Sequence, residues 1–345
     1  MKKTLTIVSF QNPNNTYIKE LISNLSEYYT VYWGNDFFWD KNFKTDHYII
    51  HWPENIKVGQ DRYSYSLSQL HERINLLKKH GSIVSAFFHD KTPHFSVNDF
   101  NTNLFKIVYT NVNKIFHLGK YSVDLIKEMF PESENIEHYI IKHALFESVP
   151  NTITTQEAKK YFKLDDKDFV ITFVGNLRSQ SEVMLLYKIF KKLKIKNKKL
   201  LIGGGELNDM RNFYTKQISR IKRYYYLGKN FKSSCGQFVE ENQIQYYYKA
   251  ADVTLVPRIQ NLNSGIAIMS MTFGIPFVSP AVGNITELAE ETGNYTFPLN
   301  DINKAVEIIE NIANNRHTQL KITDDFLGKS VAKKIHEYLE KKQVF

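Results

Sequence analysis

Cysteine is nearly absent from this sequence, since Cys235 is the only one among 345 residues. A single thiol excludes an internal disulfide and is typical of proteins from a reducing compartment. The sequence also lacks an apolar run of the roughly 20 residues that a transmembrane helix requires. The short apolar stretch at residues 5–10 has neither the length nor the cleavage site of a secretory signal, so it predicts a first strand. We therefore expect a cytoplasmic protein.

Several motifs of nucleotide and metal sites are missing as well. The triple glycine Gly203-Gly204-Gly205 is not followed by the Lys-Ser/Thr pair of a P-loop. Its glycines also do not spread into a helix as those of a dinucleotide-binding fingerprint do. Asp166 and Asp168 precede a predicted strand rather than ending one, and the histidines form no zinc-type motif with Cys or Glu. We therefore expect no bound metal ion and no organic cofactor.

Positive charge is in excess, and the excess lies in the second half of the sequence. The formal net charge is +9, while residues 1–150 hold equal numbers of basic and acidic side chains. The segment 211–232 is dense in Lys, Arg and Tyr. The first interpretation of this segment is a water-exposed face, and the second is peripheral contact with an anionic membrane surface. No basic and aromatic RNA-binding signature occurs, so we expect no nucleic-acid partner.

Apolar runs of strand type alternate with segments of helical periodicity along the whole chain. This alternation predicts parallel sheets covered on both faces by helices. We expect an N-terminal domain at residues 1–150 and a C-terminal domain at 151–325, with the linker at the start of the polar stretch 151–168. The last segment, 326–345, is expected to be a helix that crosses back to the first domain.

The stretch 250–287 combines two strands, two polar loops and two helix starts. Val253 and Leu255 alternate as in a short buried strand, a polar loop follows, and Ser264-Gly265 begin an apolar segment of helical length. Ser264 suits an N-cap, because its hydroxyl can accept from a first-turn amide. A second strand and the turn at Gly283 precede another helix start. Such loops lie at the carboxyl ends of parallel strands, where helix-start amides favour a phosphate.

The order and spacing of this stretch resemble the C-terminal half of a GT-B glycosyltransferase, most closely the large family of retaining enzymes numbered four. The matching pieces are ADVTLVP, the helix opened by Gly265, FGIPFVS and VGNITE. The resemblance implies an α/β fold of GT-B type, with two Rossmann-like, doubly wound parallel-sheet domains facing across a cleft. It implies a nucleoside-diphosphate sugar donor on the second domain and a glycan or lipid-linked acceptor on the first. The expected role is surface polysaccharide or glycoconjugate synthesis at the inner face of the membrane.

The resemblance also assigns candidate site residues. His89 follows an apolar strand where the family carries a histidine that faces the donor sugar, so His89 is a candidate catalytic residue. Arg178 and Arg258 complete the catalytic set, since two guanidinium groups would hold the diphosphate leaving group. The donor-binding candidates are Gly175, Asn176, Gly203, Phe238, Val239, Asn261, Asn263, Ser264, Gly265 and Glu287.

Other histidines receive different assignments. His51 and His94 are candidates for contact with the acceptor or the sugar, because each lies in a polar cluster where a predicted strand ends. His117 and His143 are expected to be hydrogen-bonded structural residues instead.

The sequence departs from the resembled family at three positions. Asn261 and Met269 stand where active members usually carry two glutamates, and Ser181 stands where a lysine is expected. Arg258 is the candidate replacement for that lysine. These departures leave two alternatives open: a nucleotide-sugar epimerase on the same fold, and a non-catalytic partner or binding subunit that kept the fold.

Overall fold

The computed structural model describes residues 1–56, 65–92, 98–204, 221, 224–233, 239–315 and 319–341. Its contacts divide the chain into two compact units. We call Met1–Ala144 with Thr323–Phe345 the N-unit, and Leu145–Ile322 the C-unit. The boundary expected after residue 150 lies a few residues beyond this division, and the expected terminal helix belongs to the N-unit.

The N-unit is built on a six-stranded sheet in which all neighbouring strands are parallel. The strands are β1 (Lys3–Val8), β2 (Tyr29–Trp33), β3 (His47–Ile50), β4 (Ile83–Phe87), β5 (Lys114–His117) and β6 (Glu137–Ile140). The helices between them are α1 (Thr16–Leu25), α2 (Asn35–Trp39), α3 (Leu67–Lys79), α4 (Asp99–Asn111) and α5 (Lys120–Met129). The strand order is β2-β1-β3-β4-β5-β6.

The C-unit contains a second six-stranded, all-parallel sheet. Its strands are β7 (Phe169–Val174), β8 (Lys198–Gly203), β9 (Phe231–Ser233), β10 (Val253–Leu255), β11 (Phe277–Pro280) and β12 (Tyr295–Phe297). Its helices with defined ends are α6 (Thr155–Tyr161), α7 (Gln180–Lys192), α8 (Glu241–Lys249), α9 (Gly265–Thr272), α10 (Ile285–Thr292) and α11 (Ile302–Asn314). The strand order is β12-β11-β10-β7-β8-β9. The predicted α/β class with two doubly wound parallel sheets is therefore confirmed.

Strand order creates a crevice at the carboxyl ends of β7 and β10. The chain adds β8 and then β9 on one side of β7, and returns to place β10 on its other side. The connections that leave β7 and β10 therefore run to opposite sides, which is the topological switch point where open sheets bind ligands. The same reversal occurs between β1 and β3 in the N-unit.

Helix α6 was not predicted from the sequence, because residues 151–168 were interpreted as a polar stretch. The Thr154 hydroxyl accepts from the N–H of Glu157 at 3.2 Å, and the Glu157 carboxylate accepts from the N–H of Thr154 at 2.7 Å. This reciprocal capping box starts the helix. Ala158 and Phe162 then pack into an apolar cluster of the C-unit, which supplies the burial that a seven-residue helix needs.

The last helix, α12 (Gly328–Glu340), packs against α1 within the N-unit. Lys114, which is fully buried, donates from Nζ to the carbonyls of Tyr338 at 2.6 Å and Lys341 at 2.8 Å. A cation at the last carbonyls of a helix satisfies free acceptors and complements the helix dipole. Glu340 accepts from the Tyr29 hydroxyl at 3.1 Å, so the helix end is held from two sides. Among the described helices, none combines the length and the apolar character needed to cross a membrane.

Candidate functional site

Helix α9 begins at the polar loop that follows β10. Ser264 is its N-cap, since the side-chain oxygen accepts from the N–H of Ala267 at 3.4 Å, and the predicted cap is confirmed. Gly265 is exposed, and the nearest described neighbour of an added Cβ would be Phe146 Cζ at 4.0 Å. A ligand can therefore approach the first-turn amides, where the helix dipole favours an anion.

The loop that leads to α9 is held by the turn before α10. Asn284 donates from its backbone N–H to the Leu262 carbonyl at 2.9 Å and from Nδ2 to Asn263 Oδ1 at 2.8 Å. Gly283 has a φ of 58°, and an added Cβ would stand 2.4 Å from the Asn261 carbonyl oxygen. Glycine is required at 283 for both reasons. This contact positions Asn261 and Asn263 beside the helix start.

The two candidate arginines have different environments. Arg258 is buried and donates from Nη1 to Glu182 Oε2 at 2.7 Å, and the same oxygen accepts the backbone N–H of Arg178 at 2.7 Å. Burial, aided by the nearby charge of Arg178 and opposed by Glu182, lowers the pKa of Arg258 to about 10. The Arg178 guanidinium is exposed and has no ion pair with any described residue. Arg178 is therefore the cation with uncommitted donors, whereas the charge of Arg258 is largely balanced by Glu182.

These elements enclose a pocket of about 300 Å³ in the C-unit. Among the described residues, its polar lining consists of Arg178, Arg258, Asn261, Asn263, Ser264 and Gly265. Its apolar lining, within the same residues, consists of Phe146, Val174, Ile244, Tyr248, Ile266 and Met269. Tyr248 is 0% exposed, and burial raises the pKa of its hydroxyl well above the usual range. The pocket at the switch point between β7 and β10 thus combines two cationic side chains and a helix start with a set of apolar side chains.

The glycines after β7 and β8 allow two chain segments to approach closely. Gly175 donates to the Gly203 carbonyl at 2.8 Å. A Cβ on Gly204, whose φ is 105°, would stand 2.7 Å from the Gly175 carbonyl oxygen. Gly175 has a φ of 146°, and its own Cβ would meet Ile266 Cδ1 at 3.0 Å. Gly175 therefore brings the end of β7 against the first turn of α9, while Gly203 packs against Tyr247 and is not among the pocket-lining residues.

The remaining donor-binding candidates lie at varied places. Asn176 is exposed just after β7, and Glu287 is half-buried in the first turn of α10. The side chain of Val239 is 8% exposed and packs in an apolar cluster with Leu201. None of these three is among the pocket-lining residues. Phe238 and His94 lie outside the described residues.

In the N-unit, the structure brings His51 and His89 together. His51 Nδ1 and His89 Nε2 are 2.9 Å apart, and both side chains are buried at the carboxyl ends of β3 and β4. Trp52, in a left-handed conformation with φ 49°, stacks on His89 with ring centroids 4.5 Å apart. A left-handed tryptophan is strained, and such strain concentrates at functional sites. Burial lowers the pKa of His51 to about 3, so His51 is a neutral partner to His89.

The two histidines expected to be structural differ in their contacts. His117 is fully buried in a relay: its Nε2 lies 2.9 Å from His138 Nδ1, and His138 Nε2 donates to the Ser133 carbonyl at 2.9 Å. The carbonyl acceptor requires His138 to donate from Nε2, so a neutral His138 accepts at Nδ1 from His117. His143 lies beside the ring of Tyr17, at 4.8 Å between centroids. Tyr17 also contacts His89 edge-on at 5.6 Å, which places His143 next to the His51–His89 pair.

Sequence reasoning missed Glu182 and Tyr248 as site residues. Glu182 was visible as an acidic residue at a helix start, but its reach to Arg258, 76 positions later, is a tertiary contact without a local signal. Tyr248 belongs to a run of three tyrosines on α8, and the pattern does not say which of them faces a pocket. Within the described ranges, no group of three or more His, Cys, Asp or Glu is arranged to hold a metal ion.

Solved glycosyltransferase structures share this architecture. The chain is similar to the sucrose-phosphate synthase of Thermosynechococcus elongatus, with a TM-score of 0.64, 14% identity, and coverage of 97% of this chain and 94% of the other. It is also similar to HepE of Anabaena in complex with UDP, with a TM-score of 0.70, 12% identity, and coverage of 98% and 99%. The fold is thus that of a GT-B glycosyltransferase.

Sequence similarity leads to the family. Residues 154–343 match the family described as glycosyl transferases group 1, and since this is more than half of the chain, the chain belongs to that family. A curated relative, an uncharacterized glycosyltransferase of Methanocaldococcus jannaschii, is 31% identical over 140 residues. That stretch is 40% of this chain and 34% of the relative, so the match spans about a third of the relative's length.

Proposed function

We propose that this chain transfers a sugar from a nucleoside-diphosphate sugar to a glycan or lipid-linked acceptor. The observation that carries the proposal is the pocket in which Arg178, Arg258 and the start of α9 meet at a topological switch point. Exposed amides, a helix dipole and a guanidinium with free donors together suit a diphosphate. HepE, which shares this architecture, was solved with UDP, and this supports a nucleotide ligand.

In the proposed reaction, the bond between the sugar and the diphosphate breaks while the oxygen of an acceptor hydroxyl forms a new bond to the sugar, and the proton of that hydroxyl is released. Negative charge develops on the leaving diphosphate. Arg178 and the Ser264–Gly265 amides would stabilise that charge as preorganised donors, so no metal ion is assigned to this step. Arg258 would act mainly by holding the loop at Arg178 in place, through their shared partner Glu182. His89, held by His51 and Trp52 within the N-unit, is proposed as a catalytic residue, and the acceptor is assigned to the N-unit.

The surroundings of this reaction are also proposals. The single cysteine supports a cytoplasmic location, and the positive charge supports attraction to an anionic membrane surface, as expected for a surface polysaccharide or lipid-linked acceptor. A nucleotide-binding subunit without turnover is the second candidate. The pairing of Arg258 with Glu182 favours it, because that pairing leaves Arg178 as the uncommitted cation among the described residues that line the pocket.

Arg178→Ala tests the proposal. We expect it to lower kcat/KM for sugar transfer by about 100-fold, close to 2.7 kcal/mol, as the loss of a preorganised charge contact does. Transfer from UDP-, ADP- and GDP-sugars would be followed by release of the nucleoside diphosphate, with and without EDTA. Lys160→Ala, which removes an exposed cation on α6, is the matched control. Unchanged turnover in Arg178→Ala would remove this arginine from the site. Donor binding without transfer to any acceptor would favour the binding subunit.

Gly265→Ala separates the stability of α9 from its role in binding. The φ of Gly265 is not positive and an added Cβ has room, so alanine should keep or slightly raise the melting temperature. The methyl group would nevertheless stand where a diphosphate must reach the first-turn amides. We expect nucleoside-diphosphate binding to weaken by about tenfold, which is about 1.4 kcal/mol. Unchanged affinity with unchanged stability would move the donor away from this helix.

A further inference from the structure

The ring of His51 is enclosed in the N-unit and has one nitrogen without a partner. The side chain is 0% exposed, and its Nδ1 lies 2.9 Å from His89 Nε2. The other nitrogen, Nε2, is buried and makes no hydrogen bond to any described residue. Phe87 stacks on the ring at 4.7 Å between centroids, while Trp52 and Tyr17 lie 5.7 and 5.9 Å away. Buried polar atoms usually have a partner, so this unpaired atom restricts where the ring carries its proton.

The unpaired nitrogen distinguishes the two neutral forms of His51. Burial lowers the pKa of His51 to about 3, so the ring is neutral near neutral pH and carries one proton. A proton on Nε2 would create a buried N–H without an acceptor, and such groups are rarer in folded proteins than unpaired acceptors. A proton on Nδ1 leaves only a lone pair unpaired at Nε2, and it gives His51 a donor towards His89. The geometry therefore favours the Nδ1–H form.

The same hydrogen bond fixes the proton of His89. Because His51 donates from Nδ1, His89 Nε2 must accept, and a neutral His89 then holds its proton at Nδ1. Trp52 and Phe87 stack on the His89 ring at interplanar angles of 20° and 15°, so the plane of the ring is held as well. Protonation of His89 Nε2 would bring two N–H groups face to face at 2.9 Å. His89 is thus a poor base at Nε2 and a donor at Nδ1.

We propose that His51 is a positioning residue: by donating from Nδ1 to His89 Nε2, it holds His89 as a neutral Nδ1–H donor for the sugar-transfer reaction. The proton that the acceptor hydroxyl releases is therefore not taken up by His89 Nε2. His51 acts through His89 rather than by touching the acceptor, since its side chain is fully buried. The catalytic role of His89 rests on the proposed function, whereas the two tautomers are properties of the folded chain alone.

Nuclear magnetic resonance can observe these protons directly. The full chain would be labelled with ¹⁵N in its 11 histidines, and long-range proton–nitrogen correlations at pH 7.5 would distinguish a protonated ring nitrogen from a bare one. The signals of His51 and His89 would be identified by their loss in His51→Asn and His89→Asn. We expect Nδ1 to be protonated in both rings. A proton on Nε2 of either ring, in full or in part, would overturn the proposal.

Paired substitutions at position 51 separate the hydrogen bond from the packing. His51→Leu removes the donor and keeps a side chain of similar size, whereas His51→Asn keeps an amide N–H close to the position of Nδ1. We expect His51→Leu to lower kcat about tenfold, which is about 1.4 kcal/mol, with little change in KM, and to give His89 a mixture of tautomers. His51→Asn should restore most of kcat and the Nδ1–H form of His89. His71→Asn, at an exposed position, is the control and should alter neither.

The outcomes keep this inference apart from the proposed function. An equal loss of kcat in His51→Leu and His51→Asn, with an unchanged His89 tautomer, would show that His51 only fills space and would overturn the proposal. If His51→Leu does not fold, the wild-type spectrum still decides it. If the wild-type chain transfers no sugar, the proposed function fails, while the spectrum still decides the tautomers of His51 and His89.

Discussion

Acidification from pH 7.5 to 5.0 is expected to remove about 4 kcal/mol from the free energy of unfolding of the N-unit through His51 and His117 alone. Burial lowers the pKa of His51 to about 3, and burial together with the charges of His138 and Lys127 lowers the pKa of His117 to about 3. In the unfolded chain both titrate near 6.5. At pH 5 the unfolded state thus binds two protons that the folded state does not, at about 2 kcal/mol each.

The sign follows from where the protons bind. Stability is fully present above the unfolded pKa of about 6.5 and falls as the pH drops below it, towards the folded values. His143, whose pKa burial lowers to about 4, acts in the same direction. A domain of ordinary stability has about 5–15 kcal/mol to lose, so the N-unit should become marginal near pH 5.

Tryptophan fluorescence can isolate this effect, because all three tryptophans, Trp33, Trp39 and Trp52, lie in the N-unit. Urea unfolding at pH 7.5, 6.0 and 5.0 would give the free energy at each pH. His117→Gln should remove about half of the dependence, whereas His71→Gln, at an exposed position, should leave it unchanged. A free energy that stays constant over this pH range would contradict the assignment of neutral, buried histidines.

Glu182→Ala is expected to destabilise the C-unit by about 3–5 kcal/mol. Glu182 and Arg258 are 3% and 5% exposed, and Glu182 Oε2 lies 2.7 Å from Nη1. Removal of the carboxylate leaves a buried guanidinium without a counter-charge and an Arg178 N–H without its acceptor. Both losses destabilise the C-unit, because a buried charge without a partner and a partly buried donor without an acceptor are unfavourable.

A double-mutant cycle separates the pair from its surroundings. Arg258→Met combined with Glu182→Leu should be less destabilising than the sum of the two single changes, since it leaves no unpaired charge. Glu307→Ala is the matched control: its pair with Lys304 spans 2.8 Å on the surface, where such pairs contribute roughly 0–1 kcal/mol. The C-unit has no tryptophan, so its transition would be measured by far-UV circular dichroism. Equal effects of Glu182→Ala and Glu307→Ala would show that the buried pair has no special weight.

The local sequence pattern was sufficient to predict the strands and the helix start around the candidate pocket. Ser264 caps its helix as predicted, because the N-cap hydrogen bond joins residues three positions apart and the residue type suffices. The strands β7 and β10 are apolar runs, since strands of a parallel sheet are buried on both faces. Helix α6 was missed although its Thr-x-x-Glu capping box was present, because most of its seven residues are polar or charged and give little hydrophobic periodicity.

The pairings of the side chains could not be predicted in the same way. His51 and His89 were separate candidates, and only the adjacent strands β3 and β4 bring their rings within hydrogen-bond distance. Arg178 and Arg258 were both predicted to hold the diphosphate, because the sequence shows only that each is a cation. Their surroundings distinguish them, since Glu182 neutralises Arg258 and leaves the Arg178 guanidinium to the pocket.

The sequence by itself determined the α/β class, the two parallel sheets, the glycosyltransferase resemblance and the helix start at Ser264. Each of these depends on residue type and spacing within a short window, where hydrophobic periodicity and capping chemistry operate. Tertiary structure alone decided that Glu182 binds Arg258, that His51 meets His89, that Tyr248 and Met269 line the same pocket, and that Gly283 admits the loop at Asn261. These contacts join residues far apart in the chain, and their geometry follows from strand order and close packing, which no local pattern encodes.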